Sequence, residues 1–177
     1  MNAKNAKIVM LTGTPIINFP NEIAILFNIL RGKIKTWSFK LTINKDRKIN
    51  KDFFDKLFKS TVLGGNVMDY IEYKPTSTTL VVTKNPFGFV NKTEKGTYQG
   101  VRIGERGDIE DNDFEKLIIK LLQKNAITVS NVNINTYKAL PDTLQGFQSY
   151  FIDDTLNLKN MNLFKRRIMG LASYFRD

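Results

Sequence analysis

The sequence predicts an α/β fold, and three stretches carry that expectation. Lys7 to Arg31, KIVMLTGTPIINFPNEIAILFNILR, reads as an apolar strand, a tight polar turn and an amphipathic helix. That is the unit with which open α/β sheets place ligands at the carboxyl ends of their strands. From Thr36 to Ile43, Trp37, Phe39, Leu41 and Ile43 alternate with Ser38, Lys40 and Thr42, the period of a half-buried strand. Asn112 to Lys124 sets Phe114, Leu117, Ile118, Leu121 and Leu122 at helical spacing.

Taken in order, Lys7 to Leu11 is a short apolar run bounded by turn residues, as in a strand buried on both faces of a parallel sheet. Gly13 is free to take positive φ, and Pro15 denies helix to Thr14. Asn21 is expected to cap the next helix, with Glu22 in its first turn. Ile23, Leu26, Phe27 and Leu30 recur at helical spacing before Gly32 ends the helix. Asn50 is expected to cap a short helix carrying Phe53, Phe54, Leu57 and Phe58, aromatics that read as core more readily than as base-stacking groups.

Beyond Gly64 and Gly65, Val67–Tyr73 and Thr78–Lys84 form an expected hairpin across Lys74, Pro75, Thr76 and Ser77. Asn85–Phe89 is a second turn, Tyr98–Ile103 a further strand, and Asn91 to Arg106 the expected flexible loop. Asn112 with Glu115 has the spacing of a capping box for the helix that follows. Ile127–Ile134 reads as a strand and Leu144–Ile152 as a short helix weakened by Gly146. Asp153–Lys159 is a candidate boundary loop, and Asn162 is expected to cap a last helix, Leu163–Phe175, with Lys165, Arg166 and Arg167 on its polar side.

The chemistry is narrowed by what the 177 residues lack. There is no Cys and no His, which removes disulfides, thiolate zinc sites, cysteine nucleophiles and the commonest general base and metal ligand. No run reaches the roughly 20 apolar residues of a membrane span, so no membrane partner is expected. A net charge of +10, from 27 Lys plus Arg against 17 Asp plus Glu, suits a polyanion such as DNA or RNA. The lysines are scattered, however, so a solvated lysine-rich surface explains the charge equally well. Lys84, Lys92 and Lys95 at the hairpin edge could touch phosphates or protect that edge from aggregation. Lys165, Arg166 and Arg167 are the other nucleic-acid candidates.

No Gly-rich loop ending in Gly-Lys-Ser/Thr is present: Gly32 and Lys33 lack both the earlier glycine and a following hydroxyl. Asp153 and Asp154 follow an apolar pair without an upstream nucleotide loop. Asp108, Glu110, Asp111 and Asp113 cluster, but just ahead of a helix, where the dipole favours acids without any metal. No complete catalytic set and no metal site is expected.

At LTGTPIINFPNEIAILFNIL the chain resembles the third conserved motif of superfamily-two helicases, in particular the Swi/Snf-like branch: Thr12, Gly13, Thr14, Pro15, Asn18, Glu22, Leu26 and Leu30 fall at matching positions. NPFGFV at Asn85–Val90, KALPD at Lys138–Asp142 and KNMNLFKRRIMGLASYFR at Lys159–Arg176 look like segments of helicases of large DNA viruses. The group it resembles is related to poxvirus nucleoside triphosphatase I and the ATPase subunit of the early transcription factor.

The resemblance implies a partial RecA-like helicase lobe of the P-loop NTPase type with an inserted mixed α+β segment. Residues 1–32 would close the first lobe, 33–159 would be the insert, and 160–177 would open the second lobe. It implies a fragment of a viral ATP-dependent helicase or translocase acting in transcription, inactive alone, in the host cytoplasm or virion. Thr12, Gly13, Thr14, Pro15 and Asn18 would form the loop coupling ATP hydrolysis to nucleic-acid movement. ATP and Mg2+ would be bound by the full-length parent, and the partners would be nucleic acid, the rest of a split helicase or viral transcription proteins. Without the first-lobe sheet, Ile8, Met10 and Leu11 are expected to be exposed. The competing expectation is a non-enzymatic basic nucleic-acid-binding module.

Overall fold

The computed structural model describes residues 8–14, 16–44, 46–59, 61, 67–86, 88–95, 97–103 and 109–173. Among them are five helices and six strands, a mixed α/β architecture with a small antiparallel sheet. The helices are α1 (Glu22–Arg31), α2 (Lys51–Lys59), α3 (Asp111–Lys124), α4 (Leu144–Phe151) and α5 (Met161–Ile168). The strands are β1 (Lys33–Thr42), β2 (Met68–Lys74), β3 (Thr79–Lys84), β4 (Phe89–Glu94), β5 (Thr97–Ile103) and β6 (Thr128–Lys138). No helix among the described residues is long and apolar enough to cross a membrane.

The chain forms two compact units, residues 35–92 with 103–136 and residues 1–34 with 93–102 and 137–177. Asp153–Lys159, a candidate boundary in the sequence, lies inside the second of these units.

The first unit is organised on a four-stranded sheet ordered β2-β3-β1-β6. β3 pairs antiparallel with both β2 and β1, and Trp37 faces Val82 while Phe39 faces Leu80. The expected hairpin and the alternation in β1 are both present. Trp37, Phe39 and Leu41 share the covered face with Leu80 and Val82, and α2 and α3 supply Phe54, Phe58, Phe114, Ile118 and Leu122 to the same core. Phe114 meets Trp37 at 4.8 Å between ring centroids, within the range at which aromatic pairs add to simple burial. Phe54 and Phe58 are fully buried, so they are core and not a stacking platform. Asn50 caps α2 as expected, its Oδ1 accepting from Phe53 N at 3.0 Å.

Two other expected caps are spent elsewhere. α3 begins at Asp111 behind Glu110, without a side-chain cap. Glu115 instead accepts from Trp37 Nε1 at 3.2 Å, because a buried indole N–H needs a partner. The strand expected at Tyr98–Ile103 is present as β5, and among the described residues of the expected flexible loop it pairs with β4 as a two-stranded sheet.

The second unit holds α1, α4 and α5 together with most of β5. Ala24 and Phe27 of α1, Leu140, Phe147 and Phe151 of α4, and Phe164 of α5 form its core. Phe151 and Phe164 meet edge to face at 5.2 Å. Polar side chains complete the packing. Asn28 Nδ2 donates to Leu140 O and Asn28 Oδ1 accepts from Leu140 N, both at 2.8 Å. Asn21, expected as a cap, makes no capping bond and donates to Asp142 O at 2.9 Å. Buried Arg31 donates to Arg166 O at 3.3 Å, at a helix end where carbonyls need donors. Thr143 caps α4 by accepting from Gly146 N at 3.2 Å.

The last helix is shorter than Leu163–Phe175 and starts at Met161 behind Asn160, so Asn162 lies inside it. It stops where Val101 N donates to Met169 O at 3.2 Å. The approach is close: a Cβ on Gly170, at φ +83°, would lie 1.9 Å from Val101 O.

Candidate nucleic-acid interface and coupling loop

The run preceding Thr12 is not a strand. Ile8, Val9, Met10 and Leu11 have no sheet partner and are 39%, 82%, 44% and 95% exposed. The expectation of a buried parallel strand is not met among the described residues, where Ile8–Leu11 is exposed. A segment apolar on both faces belongs inside a sheet, and no strand of either sheet lies beside it.

The loop that follows has a defined local structure. Thr12 Oγ1 accepts from Thr14 N at 3.1 Å, a hydroxyl turn of the kind that competes with regular structure. Thr12, Gly13 and Thr14 are exposed, and Pro15 lies outside the described residues. Asn18 is exposed too, its N–H pointing at Glu22.

Glu22 gathers this loop onto α1. Its carboxylate accepts from Ile17 N at 2.7 Å and from Asn18 N and Phe19 N at 3.3 Å. The Ile17 N–H above all, with those of Asn18 and Phe19, holds the Glu22 carboxyl below the usual range. Hydrogen bonds to the ionised form have that effect. Glu22 therefore ties the backbone of the preceding loop to α1, while the capping bond expected of Asn21 is not made.

The predicted basic residues divide. Lys84 is a structural cation: it is buried, donates to Ile109 O, and its Nζ lies 3.2 Å from Asp111 Oδ1. Lys35, on the neighbouring strand, pairs with the other oxygen of Asp111. Partial burial works against ionisation of Asp111, but these two ammonium groups outweigh it and hold its carboxyl below the ordinary aspartate value. Asp111 thus pins the start of α3 over β1 and β3. Its acidic neighbours need no metal to explain them, and Asp108 lies outside the described residues.

Lys92, Lys95 and Lys165 are exposed. Arg166 is half-buried and lies over the Tyr98 ring at 4.6 Å. Arg167 is buried, not on a polar face, because it falls three residues after core Phe164 on the same side of α5.

No three acidic residues come together to hold a metal ion among the described residues. Thr12 and Thr14 offer hydroxyls, with no group of three acidic residues accompanying them among the described residues.

One feature escaped sequence reasoning. In the helical unit a recess of about 440 Å³ opens between the end of β6, α4 and α5. Tyr137, Lys138, Tyr150, Phe151, Leu163 and Arg167 are among the residues that line it. These residues come from three elements, so no local motif announces them.

No protein-family model matches the sequence, and no curated protein and no solved structure matches it.

Proposed function

We propose that the chain is part of an ATP-dependent superfamily-two, Swi/Snf-like helicase or translocase that acts on nucleic acid during transcription of a large DNA virus. In this reading Thr12–Pro15 with Asn18 is the coupling loop of a RecA-like lobe, and ATP and Mg2+ are held by the parent enzyme's other motifs. The observation that carries it is the exposed apolar run Ile8–Leu11 leading directly into Thr12-Gly13-Thr14. A two-faced apolar segment without a sheet is suited to completing one, and Glu22 anchors the following loop to α1. Were the run paired into a parent sheet, the coupling loop would lie at the carboxyl end of the resulting strand, where α/β sheets carry function.

The net charge of +10 and exposed Lys92, Lys95 and Lys165 favour a second reading, a basic nucleic-acid-binding module without enzymatic coupling. The two share one requirement and differ in another. Anisotropy with labelled DNA and RNA should show binding that weakens steeply between roughly 50 and 200 mM salt, as phosphate contacts demand. Absence of binding at low salt would remove both readings. Thr12→Ala with Thr14→Ala, introduced in the parent enzyme, should leave nucleic-acid binding intact and lower nucleic-acid-stimulated ATP hydrolysis by at least about tenfold, equivalent to ~1.4 kcal/mol of barrier. Unchanged hydrolysis would leave only the binding module.

A further inference from the structure

We propose that β6 is a docking edge for a second copy of this chain. Two β6 strands pair antiparallel across a twofold axis at Asn133 and join two four-stranded sheets into one. The inference is independent of the nucleic-acid reading.

β6 is the outermost strand of the order β2-β3-β1-β6, so among the described residues one side of it has no neighbouring strand. An edge strand carries a row of N–H and C=O groups able to pair with another chain, and proteins blunt such edges with charges, bulges and proline. The two edges of this sheet differ in that respect. β2 carries Asp69, Glu72 and Lys74 within seven residues, and its pairing shifts register between Met68 and Tyr70. β6 runs for eleven residues as TVSNVNINTYK. Before Lys138 it includes no charge and no proline, although charged residues make up 25% of the chain. Asn131, Asn133, Ile134, Asn135 and Thr136 are exposed on it.

The sequence of the edge selects a second copy over an unrelated strand. With Asn133 on the axis, Val132 of one protomer faces Ile134 of its partner, Asn131 faces Asn135 and Ser130 faces Thr136. Each of these pairs occurs twice, because a twofold interface is isologous. Aliphatic meets aliphatic and amide meets amide, and cross-strand pairs of this kind are the unit of sheet stabilisation. The uncharged run also sets no like charges opposite one another, which matters in a chain whose net charge of +10 opposes self-association. Other registers match less well. Sliding one strand by one residue sets Asn133 against Val132 or Ile134, and sliding it by two sets Ser130 against Ile134 or Val132 against Thr136. A single β6 in each chain closes the assembly at two copies.

The test is sedimentation equilibrium of the full chain over a wide concentration range, with circular dichroism to confirm that each variant folds. The expected result for the wild type is a monomer-dimer equilibrium. Asn131→Lys with Asn135→Lys sets like charges opposite each other at two places and should weaken the dimer at least about tenfold. Asn131→Glu with Asn135→Glu should do the same, although it lowers the net charge. Asn131→Lys with Asn135→Glu sets opposite charges face to face and should dimerise at least as well as the wild type. Both positions are exposed, so the monomer tolerates all three pairs of changes. Because the chain has no Cys, Asn133→Cys provides a unique cross-link. On the axis the two Cα atoms would be ~4.5–5.5 Å apart, inside the ~4.4–6.8 Å of disulfides. Oxidation should join two Asn133→Cys chains and leave Lys74→Cys, at the β2 edge, unjoined.

A chain that is monomeric at every concentration overturns the proposal. So does a dimer that the like-charge pairs leave unchanged, or one that Asn131→Lys with Asn135→Glu disrupts as strongly as they do. A monomer whose β6 amides become protected from hydrogen exchange when a KIVMLT peptide is added would assign the edge to residues 7–12 and overturn the second copy as occupant.

Discussion

The sheet unit and the helical unit bury comparable kinds of side chain but close their cores differently. In the sheet unit, Trp37, Phe39, Phe54, Phe114 and Ile118 fill one face of β1 and β3, and the polar contacts include Asp111 with Lys35 and Lys84, buried Thr36 with Thr83, and Trp37 with Glu115. In the helical unit four phenylalanines form a small core, and α1 is tied to distant backbone through Asn21, Asn28 and Arg31. The difference teaches how a modest core is made specific. Apolar contacts alone tolerate sliding, whereas a side chain that satisfies a particular N–H and C=O defines one register.

The largest expected effect lies in the sheet unit. Trp37→Ala removes a fully buried ring and should cost about 3–5 kcal/mol, read from the denaturant midpoint at unchanged slope. Next comes Asn28→Leu, which leaves both backbone groups of buried Leu140 without that partner and should cost about 2–3 kcal/mol. A loss under about 1 kcal/mol would break the comparison, because the helical unit would then stand on its phenylalanines alone.

Gly170→Ala tests the close approach of α5 to β5. Positive φ and a Cβ 1.9 Å from Val101 O should together cost at least about 2 kcal/mol, seen as a lower thermal midpoint.

The pH response sharpens the sheet side. Asp111 titrates below its ordinary value, so its stabilising contribution is present above the unfolded-state aspartate pKa. It is lost as pH falls through the lower folded value. Denaturant midpoints at acid and near-neutral pH should therefore converge more for Asp111→Asn than for the wild type, and parallel curves would refute the lysine pairing. The smallest effect is expected at Glu22→Gln. It should speed amide hydrogen exchange at Ile17, Asn18 and Phe19, whose N–H groups the carboxylate holds, with little change in the global midpoint.

How far the sequence could be read depended on the range of the interactions. Alternation placed β1, and the turn from Lys74 to Ser77 placed the β2–β3 hairpin, because both are written in neighbours two to four residues apart. Asn50 was a legible cap for the same reason. Asn21 and Glu115 carry equally good local signals, yet Asp142 O and Trp37 Nε1 claim them. A buried polar group at distant sequence outweighs a local cap that water can replace. Likewise β4 has a polar, largely exposed composition that resembles a loop, and only its pairing with β5, which the sequence does mark as a strand, makes it one.

The candidate site divides along the same line. The loop Thr12–Asn18 was visible in the sequence as a motif, and the structure adds the exposure of Ile8–Leu11 and the grip of Glu22. Lys84 looked like a free edge cation because nothing local shows that Lys35 lies opposite it with Asp111 between. The recess was invisible, since Tyr137, Tyr150 and Arg167 come together only when β6, α4 and α5 pack. By itself the sequence determined the mixed α/β class, the basic charge and the absence of Cys and His chemistry. Tertiary structure alone decided which polar groups are structural, which apolar residues stay exposed and where a ligand could enter. Periodicity records the burial of each element, but partners more than a hundred residues apart leave no periodic trace.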